Sequence, residues 1–519
     1  ALVVAENAAA LEAGKAAVKV EYEPLTPILS AADASKDGFE LVHLERKDNL
    51  LSYQCVKRGN ADEVIKHSAH VVTNHYSVPF TDHAFLEPEC AVAEVEGDGV
   101  HIFSGDQGVY QTRKECSMML GLAPELVRVT AMMVGGGFGG KEDMSVQHHA
   151  ALACYLLKRP VKVRFTRTDS LLIHPKRHAM EMDFTTACDE TGKLTAMRAR
   201  IIADSGAYAS LGGPVLQRAC THAAGPYNYQ DVDIEGFAYY TNNPPGGAFR
   251  GFGVTQSCFA TECNINQLAE MVGMTPFEFR YLNGIRPGQI LPNGQIADET
   301  TALIETLDAV RPILERNPKA GIACAIKNSG LGVGVPDVGR CRIEVLEGKL
   351  HLHSSAACIG QGMGTVQTQY VKEITGLPLE QIVYHVPDTS SAPNSGNTTA
   401  SRQTLFTGEA AVRAAKLVKA AMDEAGSLEA LEGQSFLGEY EGKTDAMGSD
   451  KANPVSHIAY GYATQVVELD DEGRVCCVTA AHDVGQAVNP ISLEGQIEGG
   501  VVMSLGYALT EDFPLENGK

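Results

Sequence analysis

Glu142 closes the run GGGFGGKE (Gly135 to Glu142), in which five of the first six residues are glycine. Glycine backbone takes conformations closed to other residues and lets a ligand come close to exposed amides. A carboxylate fixed at the end of such a turn can orient a polar substrate or accept a proton. The run fits a phosphate-binding GxxxxGK pattern from Gly135 through Lys141, then fails at Glu142, where that motif needs a hydroxyl for magnesium. A tight turn packing a helix on a sheet is the plain alternative. Arg250 and Phe252 lie between glycines in NPPGGAFRGFGVTQ (Asn243 to Gln256). A guanidinium on closely approaching backbone suits a phosphate-rich ligand, and a salt bridge at a domain joint is the competing explanation. Three further stretches have the same character: IGQGMGT (Ile359 to Thr365), NTTASRQTLFTGEAAV (Asn397 to Val412) and DVGQAVNPISLEGQIEGG (Asp483 to Gly500). Any one could be an ordinary turn, but five in one chain are better explained by a large polar cofactor cradled where two domains join.

The elements that must hold these stretches follow from periodicity. An apolar strand at Val127 to Val134 precedes GGGFGGKE, and a helical pattern at Asp143 to Lys158 follows it, which predicts an anion cradle at a helix amino terminus. From about Val71 to Asn283 strands alternate with helices, closing on a helix over Gln256 to Val272. A second unit begins near Ala302, with CRIEVLEGKLHLHSSAA as a hairpin, helices at Thr365 to Ile374 and Gly408 to Ala425, a polar loop at Glu439 to Ser456, and strands AYGYATQVVELD and RVCCVTAAHDV. Ahead of both, a helix and a strand, VKVEYEPL, finish a domain begun upstream, and Lys47 to Gly59 reads as a connector. The fold class is α+β (mixed α/β), with two elongated domains behind the tail of a small α/β domain.

A chain of 519 residues exceeds one ordinary core. Its net charge of −22 argues against nucleic acid or an anionic membrane as the main partner. No segment has the length of a membrane span. The thirteen cysteines show no C-x2-C or ferredoxin-like spacing and read as buried thiols in a reducing, cytoplasmic compartment. The first residue is not methionine and the chain ends in ENGK, resembling a hairpin turn cut short, so the sequence reads as part of a larger polypeptide.

Taken in order, HAFLEPECAVA, GGGFGGKE, RPVKVRFTR, KRHAMEMDF, GGAFRGFG, IGQGMGT, TTASRQT and the Asp483 stretch resemble the molybdenum-binding part of the xanthine dehydrogenase and aldehyde oxidase family, most closely xanthine dehydrogenase. The resemblance implies a molybdopterin cofactor, with a cytosine dinucleotide form as one alternative, and a molybdenum whose terminal sulfur is selenium in some anaerobic members. It implies hydroxylation of an electron-poor carbon with oxygen from water. Electrons then pass to 2Fe-2S clusters and FAD on an iron–sulfur subunit and a flavin subunit, the whole forming a dimer of heteromers. In this frame residues 1–46 end a hammerhead-like domain with its connector, 47–301 form cofactor-binding domain I, and 302–519 form domain II without its carboxyl-terminal part.

Position by position, the resemblance places Gly137, Phe138 and Gly139 along the metal's ligands. Arg250, Gly360 and Gln361 would hold the cofactor, and Ala400, Ser401, Arg402 and Gln403 would grip the pterin and its phosphate. Phe138 and Arg250 would approach the metal without ligating it. Glu142 matches a glutamate that reads purines, and Arg218, 32 residues before Arg250, matches the second purine-orienting group. Phe252 is the one carried-over substrate-stacking ring. An acid facing an arginine suits a flat heterocycle with carbonyl and ring N–H groups. The expected reaction is therefore hydroxylation of a purine or related N-heterocycle, with a nicotinate-type heterocycle or an aldehyde as the alternative within the family, and a P-loop-like nucleotidase as the alternative outside it. A salt bridge serving only the fold is the other account of Glu142 and Arg218. Met503 stands where well-known members carry a glutamine beside the pterin, and Thr81 replaces another. The family's catalytic glutamate is expected beyond Lys519.

Overall fold

A computed structural model describes residues 1–36, 38–516 and 518. The expected turn at the end of the chain includes Asn517 and Lys519, which lie outside the described residues. In chain order the first half holds α1 (Ala8–Ala17), α2 (Ala31–Ala34), β1 (Leu50–Arg58), α3 (Ala61–His67), β2 (His70–Val78), β3 (Cys90–Glu96), β4 (Gly99–Ser104), α4 (Val109–Leu120), β5 (Val127–Ala131), α5 (Gln147–Leu157), β6 (Val161–Arg164), α6 (Arg167–Ile173), β7 (Met180–Cys188), β8 (Leu194–Asp204), α7 (Gly212–His222), β9 (Asp231–Tyr239), α8 (Val254–Met271) and α9 (Pro276–Asn283). There follow α10 (Leu303–Arg316), β10 (Gly321–Ser329), β11 (Asp337–Leu346), β12 (Lys349–His353), α11 (Met363–Thr375), β13 (Ile382–Tyr384), α12 (Gln403–Ala425), β14 (Ser435–Gly442), β15 (Ala459–Leu469), β16 (Val475–Asp483) and α13 (Pro490–Leu509).

Four sheets organise the described residues into a mixed α/β fold of two halves. A five-stranded sheet runs β1-β9-β8-β7-β2, and a four-stranded sheet runs β5-β4-β3-β6. In the second half β13-β12-β11-β14 form one sheet and the antiparallel β10-β15-β16 another. The expected hairpin is β11–β12, with Leu346 opposite Lys349. The largest apolar core joins Phe184, Ile201, Leu216 and Ile265 to Ile322, Ile326 and Val466, so it runs from the five-stranded sheet through α7 and α8 into β10 and β15. These two halves share one dry interior.

Several local expectations are corrected. Lys47 to Gly59 is mostly strand: β1 pairs along β9, and Arg58 donates to Tyr229 and Gln230 carbonyls. VKVEYEPL is no strand; Val20, Tyr22 and Leu25 are exposed, because alternation makes a strand only where an edge offers hydrogen-bond partners. VKVRFTR stops as a strand at Arg164, since Thr166 and Asp169 form a capping box that starts α6. The polar loop starts later than Glu439, after β14 ends at Gly442. Cys55, Cys476 and Cys477 are exposed, not buried. Among the described residues no helix is long and apolar enough to cross a membrane.

Candidate cofactor and substrate site

The strand before GGGFGGKE ends at Ala131 and the helix after it begins at Gln147, so the glycine run is not a helix amino terminus. It is a folded loop with left-handed backbone at Gly136, Phe138 and Gly139 (φ 92, 54 and 106°). This corrects the anion-cradle expectation and removes the nucleotide loop. Lys141 does not project toward a phosphate; it is buried over the Phe85 ring and paired with Glu87 at 3.2 Å. What the glycines permit is close approach. A Cβ on Gly139 would lie 2.5 Å from the Ala248 carbonyl oxygen, and the Arg250 amide donates to the Phe138 carbonyl at 2.8 Å.

The second glycine stretch is thereby clamped on the first. His83 stacks on the Phe249 ring with centroids 4.0 Å apart and its Nε2 lies 2.7 Å from the Ala248 carbonyl, while Arg177 covers the other side of that ring. Phe252 has φ 54°, and Gly253 lies against α7 at Val215 and Ala219, which brings the turn carrying Arg218 next to the Arg250 loop. Arg250 also reaches the fifth stretch: its Nη2 donates to the Gln496 carbonyl at 2.6 Å, and Gly499 and Gly500 of α13 pack on the guanidinium. Met503, half-buried, follows one turn later.

Gln107 is the hub that the sequence did not announce. Its Oε1 accepts from the Gly139 amide at 3.0 Å and its Nε2 donates to the Thr398 carbonyl at 2.7 Å. The Thr398 amide returns a bond to the Gln107 carbonyl at 2.8 Å. Gly137 packs between this side chain and Ile359 of the third stretch. One glutamine in GDQG thus ties the first, third and fourth stretches together; its only sequence signal was a polar residue between glycines.

The third and fourth stretches begin α11 and α12. Gly360, at φ 117°, has no atom within 4 Å of the place a Cβ would take, and Gly362 caps α11 in the left-handed region. Gln361 is braced within its own loop, donating to the Ala357 carbonyl and accepting from the Ile359 amide. Ala400 and Ser401 are consecutive left-handed residues (φ 49 and 51°) ahead of α12, an arrangement that aims successive backbone amides at an anion. Strain of this kind, of order 1–3 kcal/mol per residue, persists where surrounding contacts hold it. Arg402 is committed internally: Nε donates to Asp337 at 2.6 Å, Nη2 to the Val338 carbonyl at 2.7 Å, and Nη1 to Ser395. Gln403 donates to the Asn397 carbonyl at 3.0 Å. These two side chains shape the loop, which leaves gripping to its backbone.

Glu142 lines a cavity of about 380 Å³ with Arg340, Thr399 and Arg402 between the two halves. Its Oε2 is buried without a hydrogen-bond partner, and burial pushes its carboxyl up to about 8, against a smaller opposing effect of the Thr399 hydroxyl. Below that pH it is a donor, not an anion. Arg218 is buried and its one side-chain hydrogen bond runs to its neighbour Gln217 at 3.0 Å; burial lowers it to about 10. The structure does not pair Glu142 with Arg218, so a salt bridge serving the fold does not account for them. Among the described residues no group of His, Cys, Asp and Glu has the arrangement of a metal site.

Comparison with known proteins fits this geometry. Residues 42–284 and 311–519 each match a molybdopterin cofactor-binding domain. The chain is 31% identical to a probable xanthine dehydrogenase subunit of Bacillus subtilis, over all of this chain and 75% of that protein. It is 36% identical to the nicotinate dehydrogenase large molybdopterin subunit of Eubacterium barkeri, over 60% of this chain and 73% of that one. Among solved structures it superposes on the aldehyde oxidoreductase from Desulfovibrio gigas with a TM-score of 0.91 and 28% identity, covering 98% of this chain and 59% of the other.

Proposed function

We propose, for a chain that belongs to the family of molybdopterin-binding subunits of xanthine dehydrogenases and aldehyde oxidoreductases, that its substrate is a purine or a related N-heterocycle. The chain is the molybdopterin-binding large subunit of a hydroxylase of this family. The observation that carries the substrate reading is two groups without protein counter-ions, the half-buried Glu142 with its unpartnered Oε2 and the buried Arg218. In this reading a protonated Glu142 donates to a ring nitrogen or carbonyl, Arg218 donates to a carbonyl, and Phe252 is the stacking ring. An aldehyde gives neither group a full set of partners, and leaving buried polar groups unpaired is the cost that discriminates substrates.

The residues present fit a bulky anionic pterin. Open backbone at Gly360, the left-handed pair Ala400–Ser401 at the start of α12, and the Phe138 end of the glycine turn would supply amides, and Arg250 a guanidinium. Gln361, Arg402 and Gln403 set the shape of those loops, and Met503 lies one turn beyond the glycines that receive Arg250. When bound, the group supplies a redox-active metal that takes up two electrons per turnover. The chain's own residues orient the heterocycle and hold protons at Glu142. Iron–sulfur and flavin subunits are the partners this reading requires.

Turnover by the assembled holoenzyme tests the assignment. Arg218→Ala is expected to lower kcat/KM about 100-fold for a carbonyl-bearing purine and much less for a simple aldehyde. Efficient oxidation of aldehydes with none of xanthine, hypoxanthine or nicotinate, or equal losses in the variant, would overturn it.

A further inference from the structure

Arg218 does not stand alone in its recess. Lys327, half-buried, stands on β10 opposite Gly461 of β15, which has no side chain to set against it. Its Nζ makes one recorded hydrogen bond, to Asn328 at 2.6 Å, out of three donors. Arg218 likewise uses one contact out of five. His222, on the same helix as Arg218, and His457 lie with ring centroids 5.7 Å apart, edge to face. Both are buried, and the Nε2 atom of each lacks a partner. Their Nδ1 atoms are already occupied: His222 by the Arg218 carbonyl and the Thr221 hydroxyl, His457 by the hydroxyls of Ser456 and Tyr460.

The charge balance is one-sided. Burial is the first cause that lowers Lys327, His457 and His222; after it, Arg218 depresses Lys327, and Arg218 and Lys327 depress His457 and His222. Among the recorded ion pairs of the described residues none involves any of the four, although buried pairs such as Arg280–Glu262 occur in the same core. Two cations side by side, Arg218 buried and Lys327 half-buried, with no acid between them are costly and become favourable when an anion enters between them.

We infer that Arg218 and Lys327, walled by His222, His457 and Tyr460, form an anion-binding pocket for an ionised carboxylate on the substrate ring. Guanidinium and ammonium supply charge-assisted donors, which are roughly twice as strong as neutral ones, while the histidine rings exclude water. The inference rests on the heterocycle reading above and narrows it to heteroaromatic acids.

Isothermal titration of the holoenzyme with a pyridine carboxylate and with the matching carboxamide tests the pocket, because the two differ in charge and little in shape. The carboxylate is expected to bind at least 10-fold more tightly, and Lys327→Met to cut that preference about 10-fold, a neutral contact replacing a charge-assisted one. Lys327→Arg should retain most of it, and an unchanged unfolding midpoint in both variants shows that the fold is intact. Equal binding of acid and amide by the parent enzyme, or an unaltered preference in Lys327→Met, overturns the inference. A holoenzyme that prefers the carboxylate but oxidises no heterocycle keeps the pocket and removes the reaction. One that oxidises xanthine with no preference for the acid keeps the reaction and removes the pocket.

Discussion

Two regions of this molecule bury charge in opposite ways. At Glu262 the carboxylate accepts from Arg280 Nε and Nη2 at 2.9 and 2.8 Å, from the Tyr227 hydroxyl at 2.6 Å and from the Cys324 amide at 2.8 Å. Every oxygen is used, and the pair fastens α8 to α9 and β10. Elsewhere the buried Arg218 and the half-buried Glu142 and Lys327 leave most of their hydrogen-bonding capacity unmet. The same fold that satisfies one buried acid fully leaves another open, so incomplete pairing marks where a ligand completes the protein.

The sharpest way to break the comparison is to remove one cation from each region. Arg280→Met strands Glu262 in the core and is expected to cost about 3–5 kcal/mol in urea unfolding. Arg218→Met removes a cation that has no acid to strand, and its expected cost is below about 1 kcal/mol. Equal losses would mean that Arg218 serves the fold.

A smaller effect separates the two carboxyls. The folded chain holds the Glu142 proton up to about pH 8 because burial penalises the charged carboxylate, whereas the unfolded chain releases it near its ordinary value. The folded state therefore binds more protons across that interval, and the contribution of Glu142 to stability falls as pH rises from about 4.5 to about 8. Glu142→Gln is expected to leave stability unchanged at low pH and to raise it by a few kcal/mol near pH 8.5. A variant equal to the parent at both pH values would show that Glu142 is solvated.

How much of this was legible in the sequence differs between the same regions. Glycine runs announce close backbone approach, because few other residues reach the φ values seen at Gly139 or Gly360, so the five converging stretches were readable. The helix that carries Arg218 was hidden by its own start, Gly212, Gly213 and Pro214, and that of α5 was placed four residues early because Asp143 to Val146 share its period. Gln107 and Lys327 were silent. One is a lone polar residue in a turn, the other a lysine on a strand that alternates normally, and only strand pairing sets Lys327 opposite a glycine. Arg402 misled in the other direction: a matching motif placed it on the ligand, while its donors are held by Asp337 and the Val338 carbonyl.

The smallest effect concerns Lys327 alone, and its sign follows from its surroundings. Burial and the neighbouring Arg218 lower its ammonium to about 7. The groups facing it are Arg218 and His222 from α7, His457 and Tyr460 from the approach to and start of β15, and Asn328 on its own strand; of these the histidines stay neutral near pH 7 and Arg218 stays charged. Between pH 6 and 8 the charge that changes in this recess is therefore that of Lys327, from mostly protonated to mostly neutral. Affinity for a carboxylate ligand should weaken over that span by about 10-fold, or about 1.4 kcal/mol, while affinity for the carboxamide stays level. Lys327→Arg, charged throughout, should flatten the profile. A parallel decline for acid and amide would assign the pH dependence to Glu142, whose proton leaves near pH 8, and would return the recess to the class of buried charge that the fold keeps for itself.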